Sequence, residues 1–474
     1  MKIKAKNCIG LPIGLLMMAL PLFLPVVGGL TREAMRVLGV FLGTVVLWLF
    51  VDITWPSVLA LLALALVPGI TTNAVITASF GNATIWFLVF SFLLTYAMRQ
   101  TGFLRRLALA FLNSRLARRG TWAFVFMFLL AVLALGSFIA PTVTFLMYFA
   151  LHREVAQALG LTPGSALARA LMIGTACVTS ISCAMTPIAH TFPLMALGFY
   201  ETATGQAITY LAYLKIGLPA GIVLFLLTLL LLYLGFQKAF RAEQVYIAAL
   251  CLPASGDFTA RELASALVFF LVIMAWLLSG ILPGVFKPLA DLGTVWPAML
   301  GVVLLSAVPV SGSPVLDVKQ GLAQGVSWSS ILLCAAALAL GKFVSDEQYG
   351  ITELVGESLQ PLMTSLGSVG VLLVLIAATI VMTNFMSNIV TTTLMYNVSA
   401  AVLPLMALAG NALDAQTVAI LVGLCASLAF ATPPAIAHIA LAAGSDWAGP
   451  GDMLCYGGVL AVISIPVVLL FTLL

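Results

Sequence analysis

Four short polar stretches break an otherwise apolar chain: Gly136–Thr144, Thr179–His190, Thr383–Thr393 and Ala431–His438. They carry hydroxyls and amides at Thr142, Thr144, Thr186, Ser387, Asn388, Thr391 and Thr432, with Pro187 and Pro433 beside two Thr-Pro turns. Such groups donate hydrogen bonds to an anion and offer lone pairs to a small cation. An enzyme is not the expectation. Two of the chain's three histidines, His190 and His438, end two of these stretches, and none of the sixteen acidic residues falls in any of the four. The chain has no HExxH, no CxxC among its seven cysteines and no GxxxxGK[ST] loop, so neither a metal hydrolase nor ATP-driven chemistry is indicated.

The stretches are related in pairs. Ser137-Phe138-Ile139-Ala140-Pro141-Thr142-Val143-Thr144 lines up with Asn384-Phe385-Met386-Ser387-Asn388-Ile389-Val390-Thr391, 247 residues later. Met185-Thr186-Pro187 and His190 recur as Ala431-Thr432-Pro433 and His438, and Trp55-Pro56 has a counterpart in Trp296-Pro297. Polar, non-helical backbone at membrane depth is tolerated only where protein or a water-filled cavity covers it. Paired interruptions in two halves therefore read as re-entrant hairpins and broken helices of an inverted repeat, meeting near the midplane as in many secondary transporters. Half-helix N-termini there offer unpaired N–H groups to an anion, and freed carbonyls and hydroxyls suit a cation.

The elements that must position these residues follow from composition. Of 474 residues, 63% are hydrophobic and 8% charged, with mean hydropathy +1.19. These figures exclude a soluble enzyme, a disordered chain and a nucleic-acid binder, and the net charge of +4 is scattered among loops. Runs such as Ile222–Gly235, apolar on nearly every face, exclude a barrel of alternating strands. The expectation is an all-α polytopic membrane protein with about eleven transmembrane helices, two re-entrant hairpins and two inverted-topology repeats. Residues 1–30 form the first transmembrane helix and 31–240 the first repeat, with a hairpin at 122–150. A cytoplasmic linker covers 241–261, and 262–474 form the second repeat, with a hairpin at 366–405. Lys2, Lys4 and Lys6, the loop cluster Arg105, Arg106, Arg115, Arg118 and Arg119, and then Lys238, Arg241 and Arg261 put the N-terminus in the cytoplasm of a multi-pass plasma (inner) membrane protein. Arg32, Arg36, Lys215 and Lys287 fall on the outer side of that map.

At these residues the chain resembles the divalent anion/sodium symporter family, whose members carry di- and tricarboxylates or sulfate. Its Ser-Asn-Thr motifs lie at two hairpin tips, each followed by a Thr/Ser-Pro turn. Ser387-Asn388-Ile389-Val390-Thr391 resembles the second motif with Ile389 in place of Thr, and Ala431-Thr432-Pro433-Pro434 the second turn. The first motif reads Ala140-Pro141-Thr142, and Gly136 stands where the family has a hydroxyl that Thr383 retains in the second half. The resemblance implies an intact second cation site at Thr383, Ser387, Asn388 and the carbonyls near Ala431, a damaged first one, sodium as coupling ion, no other cofactor, and a homodimer.

The resulting expectation is a secondary active transporter of small organic dianions, chiefly dicarboxylates, working by alternating access. Thr142, Thr144, Ser387, Asn388 and Thr391 hold the anion, Thr186 and Thr432 close the site, and His190 and His438 supply charge or proton coupling in place of a lost sodium ion. The alternatives are a sodium-independent carboxylate exchanger using fixed cations, and a cation/proton antiporter or arsenite-type permease. The absence of acids from the four breaks weighs against the antiporter.

Overall fold

In lipid, a chain this apolar can satisfy its backbone only within helices. The computed structural model describes residues 5–26, 30–243, 257–281, 292–408 and 410–474. Lys2, Lys4, Cys251, Lys287 and most of the linker at 241–261 lie outside the described residues. Among those described, the only β structure is a two-residue pair, Pro309–Val310 against Ser313–Pro314.

The first half runs α1 (Ala5–Ala19), α2 (Arg32–Phe50), α3 (Trp55–Ala65), α4 (Thr72–Ala78), α5 (Ala83–Thr101) and α6 (Phe103–Leu112). A hairpin of α7 (Thr121–Gly136) and α8 (Pro141–Ala158) follows, then a broken helix of α9 (Ala166–Met185) and α10 (Thr191–Thr204), then α11 (Tyr210–Glu243). The second half repeats that order: α12 (Ala260–Ile281), α13 (Trp296–Ala307), α14 (Val318–Gly325), α15 (Trp328–Val344), α16 (Ile351–Phe385), α17 (Asn388–Leu408), α18 (Ala415–Ser427), α19 (Ala437–Ala443) and α20 (Pro450–Leu473). Trp55-Pro56 and Trp296-Pro297 both open helices with proline in the first turn, where its missing N–H is harmless. Among the described residues, eight helices are long and apolar enough to cross a membrane, nine if the pair α14 and α15, bent by 75°, counts as one.

Small residues set the closest approaches, as expected where helices associate without a hydrophobic driving force. The α1–α2 pair is antiparallel and packs through glycine: a Cβ on Gly14 would lie 2.6 Å from Leu47, and one on Gly39 would lie 2.4 Å from Pro21. Helix α9, rich in Ala, Ser, Thr, Gly and Cys, is almost wholly enclosed by its neighbours. Where the broken helices of the two halves cross, Gly423 of α18 meets the Pro193 backbone of α10; a Cβ there would sit 2.7 Å from the Pro193 Cα.

Four features differ from the sequence expectation. Residues Arg105 and Arg106 lie not in a loop but in α6, whose Leu104, Ala108, Leu109 and Leu112 form one buried stripe at helical spacing. The first hairpin's second arm continues past 150 to Ala158. The second hairpin is cut from a longer helix at Gly367 (φ 64°, ψ 177°), a conformation that suits glycine. The fourth is the bend between α14 and α15, which lies just ahead of an apolar span and has no counterpart in the expected map.

Candidate functional site

Each hairpin tip is tied to its broken helix by one hydroxyl, in the same way in both halves. Thr186 Oγ1 donates to the Ser137 carbonyl, and Thr432 Oγ1 donates to the Asn384 carbonyl. Residues 137 and 384 are the paired starts of the two tip motifs, so the internal repeat read in the sequence is present as matching hydrogen bonds. In the second half the tie is stronger. Asn384 Oδ1 accepts the Phe430 and Ala431 N–H groups at 2.8 and 2.9 Å, while its Nδ2 donates to the Ile380 and Leu428 carbonyls at 2.8 and 3.0 Å. Thr383 Oγ1 adds a bond to the Ala426 carbonyl at 2.6 Å. Unwound backbone after α18 is thereby held without helical partners.

The histidines cross between the halves. His190 Nδ1 lies 3.0 Å from Ser427 Oγ, and His438 Nε2 lies 2.8 Å from Ser180 Oγ, with Ser180 and Ser427 themselves 247 residues apart. A hydroxyl has one proton to give. Ser180 Oγ also lies 2.6 Å from the Ala429 carbonyl and Ser427 Oγ 3.0 Å from the Gly423 carbonyl, so where the hydroxyl protons go to those carbonyls the imidazoles donate, and His190 Nδ1 has Cys183 Sγ at 3.5 Å as a second neighbour. His438 is wholly buried and its Nδ1 has no partner, whereas His190 borders a cavity.

That cavity, of about 400 Å³, is where the interruptions meet. It is lined by the start of α8 (Pro141, Thr142, Val143), the turn into α10 (Ile188 to Phe192), Ile389 at the start of α17 and Ile436 before α19. Four half-helix N-termini thus border one void. The N-caps of α8, α10 and α19 are Ala140, His190 and Ile436, none making a side-chain cap. The first-turn N–H groups of α8 and α10, other than at Pro141 and Pro193, which have none, and the positive dipole ends of these two helices are left for a ligand. One face of α5, with Tyr96 and Arg99, and the α14–α15 bend, with Ser327 and Ser330, complete the wall.

The sequence-predicted residues distribute unevenly around this void. Thr142 and His190 line it. Asn388, next to the lining residue Ile389, is 2% exposed, and both its amide atoms lack a hydrogen-bond partner. Ser387 is half-buried at the tip, and its carbonyl accepts the Thr391 N–H and hydroxyl. Thr144 is buried and bonded to the Ile139 carbonyl, and Pro187 borders a separate small void beside Glu201 and Tyr210. Thr186, Thr432 and Pro433 lie at the turns, where the two threonine hydroxyls serve the tips. Sequence reasoning missed Asn384, although its alignment with Ser137 was a signal, and it missed Arg99, a cation inside an apolar run.

The two candidate cation positions are not alike. Around Gly136, the volume that Thr383 occupies in the other half is taken: a Cβ on Gly136 would lie 2.2 Å from Ser182 Oγ. Met185 extends toward α11, where a Cβ on Gly221 would meet its Cγ at 2.1 Å, and its sulfur lies 3.8 Å from Ser137 Oγ.

Paired hairpins, broken helices and a shared cavity at their N-termini define a polytopic membrane transporter. The chain belongs to the sodium:sulfate symporter transmembrane region family, whose model matches residues 5–474, in line with the symporter motifs at its hairpin tips. It is 24% identical over 491 residues to the sodium-dependent dicarboxylate transporter SdcS of Staphylococcus saprophyticus, covering 98% of this chain and 90% of that one. It is 26% identical to the chloroplastic dicarboxylate transporter 1 of Spinacia oleracea over 74% of this chain and 62% of that one. An uncharacterized transporter of Methanocaldococcus jannaschii is 23% identical over 56% of each chain. Among solved structures, the Alcanivorax borkumensis YdaH transporter, described as having an unusual topology, shares the fold with a TM-score of 0.56 at 13% identity, covering 85% of this chain and 87% of that one.

Proposed function

We propose that the chain is a secondary active transporter of small organic dianions, chiefly dicarboxylates, working by alternating access in the plasma (inner) membrane with its N-terminus in the cytoplasm, as a homodimer. The observation that carries this reading is the convergence of four half-helix N-termini, three of them without side-chain caps, on a cavity of about 400 Å³. Such a site favours negative charge. Two dicarboxylate transporters among the chain's relatives support the substrate class. One carboxylate rests on the α8 start at Thr142 and the turn at His190. Ser387, Asn388 and Thr391 belong to the second tip, whose Ile389 lines the cavity, and the anion's second contact is placed there. A single sodium ion, held by Thr383, Ser387, Asn388 and carbonyls near Ala431, offsets the charge. The counterpart volume near Gly136 is filled by Ser182 and Thr144, so one sodium ion is coupled rather than two.

A thermal-shift and proteoliposome-uptake series with succinate, malate, citrate, 2-oxoglutarate and sulfate, each with and without sodium, tests this. Dicarboxylates should raise the melting point and be taken up, with sodium strengthening both. Dicarboxylate counterflow at full rate without sodium would instead establish the exchanger, a reading that a cation in the cavity wall, Arg99, favours.

The histidines take distinct roles. His190, bordering the cavity, carries a proton or a charge-assisted hydrogen bond to the anion, while His438 joins the halves. His190→Gln is expected to lower the rate of dicarboxylate uptake, because it changes the polar group at the cavity wall. His438→Gln should lower thermal stability while sparing the uptake of the folded protein, because it cuts the bond to Ser180. An unchanged uptake rate in both variants rejects the coupling role.

A further inference from the structure

Arg99 is the only Lys, Arg, Asp or Glu among the described residues that line the cavity at the hairpin tips. It sits near the C-terminal end of α5, its guanidinium 5.4 Å from the centre of the Tyr96 ring. Tyr96 is itself fixed: a Cβ on Gly325 would lie 2.7 Å from the Tyr96 Cβ, and the Tyr96 hydroxyl donates to Gln324 Oε1 at 3.3 Å. Arg99 is exposed, and stacking on a ring locked against the α14–α15 bend biases its guanidinium toward the cavity wall. Among the described residues no carboxylate pairs with it, while its neighbours Arg105 and Arg106 are bound to Glu154 and Glu262. An arginine presented to a cavity with its donors open suits a carboxylate.

We propose that Arg99 holds the second carboxylate of the transported dianion, the one not seated at the helix N-termini, and that it does so only while the cavity opens on the cytoplasmic side. This rests on the reading of the cavity as the transport site. The one-sidedness follows from what lies at the other end of α15. Ser330, at the cavity, and Lys342 are twelve residues apart on that helix, or about 18 Å at 1.5 Å per residue. The void of about 190 Å³ there is bordered by Lys342 together with Asp346 and Glu347, so its charge is net negative. A dianion entering from that side meets no equivalent of an unopposed arginine. The transporter is thereby predicted to bind its cargo more tightly on the Arg99 side, which slows release there and favours exchange over net uptake.

The test compares wild type, Arg99→Gln and Arg99→Lys in inside-out and right-side-out membrane vesicles, measuring the half-saturating concentration of succinate on each face. Arg99→Gln should raise it about tenfold or more on the cytoplasmic face, as expected for loss of a charge-assisted contact, and leave the outer face within about twofold. Arg99→Lys should recover part of the loss, having the charge without the fork. No rise, an equal rise on both faces, or a rise confined to the outer face overturns the proposal. If Arg99→Gln does not reach the membrane, the wild type still decides. Its preference for succinate over monomethyl succinate should be stronger on the cytoplasmic face, and equal preference on both faces refutes the role. A wild type that moves no dicarboxylate at all refutes the transport reading itself, a different result from any of these.

Discussion

Asn388→Leu is expected to abolish transport while leaving the ligand-free protein as stable as the parent, or more so. The Asn388 side chain is 2% exposed, and neither its Oδ1 nor its Nδ2 has a partner. Leaving a buried amide unpaired carries a desolvation penalty of about 1–3 kcal/mol, and replacing it by an apolar group of similar shape removes that penalty. A residue kept for packing would not show this pattern, whereas one whose partners arrive with the cargo would. The expected readout is therefore double: the melting point in detergent holds or rises, while the shift produced by succinate with sodium disappears and uptake falls about a hundredfold or more, the effect of losing roughly 3 kcal/mol of binding. Asn397, nine residues along the same helix, is the control. Its Nδ2 donates to the Thr393 carbonyl at 2.7 Å and its Oδ1 accepts from Ser345 at 3.3 Å. Asn397→Leu should lower the melting point and spare the ligand shift. A destabilised Asn388→Leu protein that keeps its succinate shift would assign Asn388 to the scaffold.

The parts of this site that were legible in the sequence are those where local chemistry contradicts an apolar surrounding. Helix α7 ends at Gly136 and α8 begins at Pro141, as the glycine and proline demand, and α9 stops at Met185, immediately before Thr186-Pro187. Less legible was anything set by which face of a helix turns inward. Tyr96 and Arg99 look like the ordinary end of a span until Gly321 and Gly325 let α14 lie against Leu93 and Tyr96. The basic cluster read as a loop because Arg105 and Arg106 dominate it, although the α6 stripe from Leu104 to Leu112 was there to be counted. The unwinding after α18 begins at Leu428, ahead of any proline, because its cause is a residue 46 positions earlier in the chain: Asn384 takes the Phe430 N–H. No window of local sequence contains that bond. Functional sites are where a chain departs from local rules, so they are visible as departures, but the partners that make a departure tolerable come from elsewhere in the fold.

Asn384→Ala should be among the most damaging single changes in the protein, and Ser137→Ala, its counterpart in the other half, among the mildest in the site. Asn384 uses all four of its amide hydrogen-bonding positions that the fold can reach: two accepted from Phe430 and Ala431, two donated to Ile380 and Leu428. Truncation strands two N–H groups in a segment that is not helical, with Phe430 wholly buried and Ala431 nearly so. At about 1–3 kcal/mol for each unsatisfied buried group, the loss comes to roughly 3–5 kcal/mol, in the range where a point mutation is exceptional. The Ser137 hydroxyl, by contrast, donates to the Leu133 carbonyl at 2.7 Å within its own helix, and the Thr186 tie uses the Ser137 backbone, which alanine retains. That substitution should change stability by less than about 1 kcal/mol. Thermal unfolding and uptake measured side by side separate the two. The Asn384 variant should unfold at markedly lower temperature and lose uptake, because Asn384 positions the unwound backbone at Phe430 and Ala431. Equal effects from both substitutions would mean that the two hairpin tips are interchangeable. The difference between the amide of Asn384 and the hydroxyl of Ser137 would then have no part in positioning the backbone that follows each broken helix.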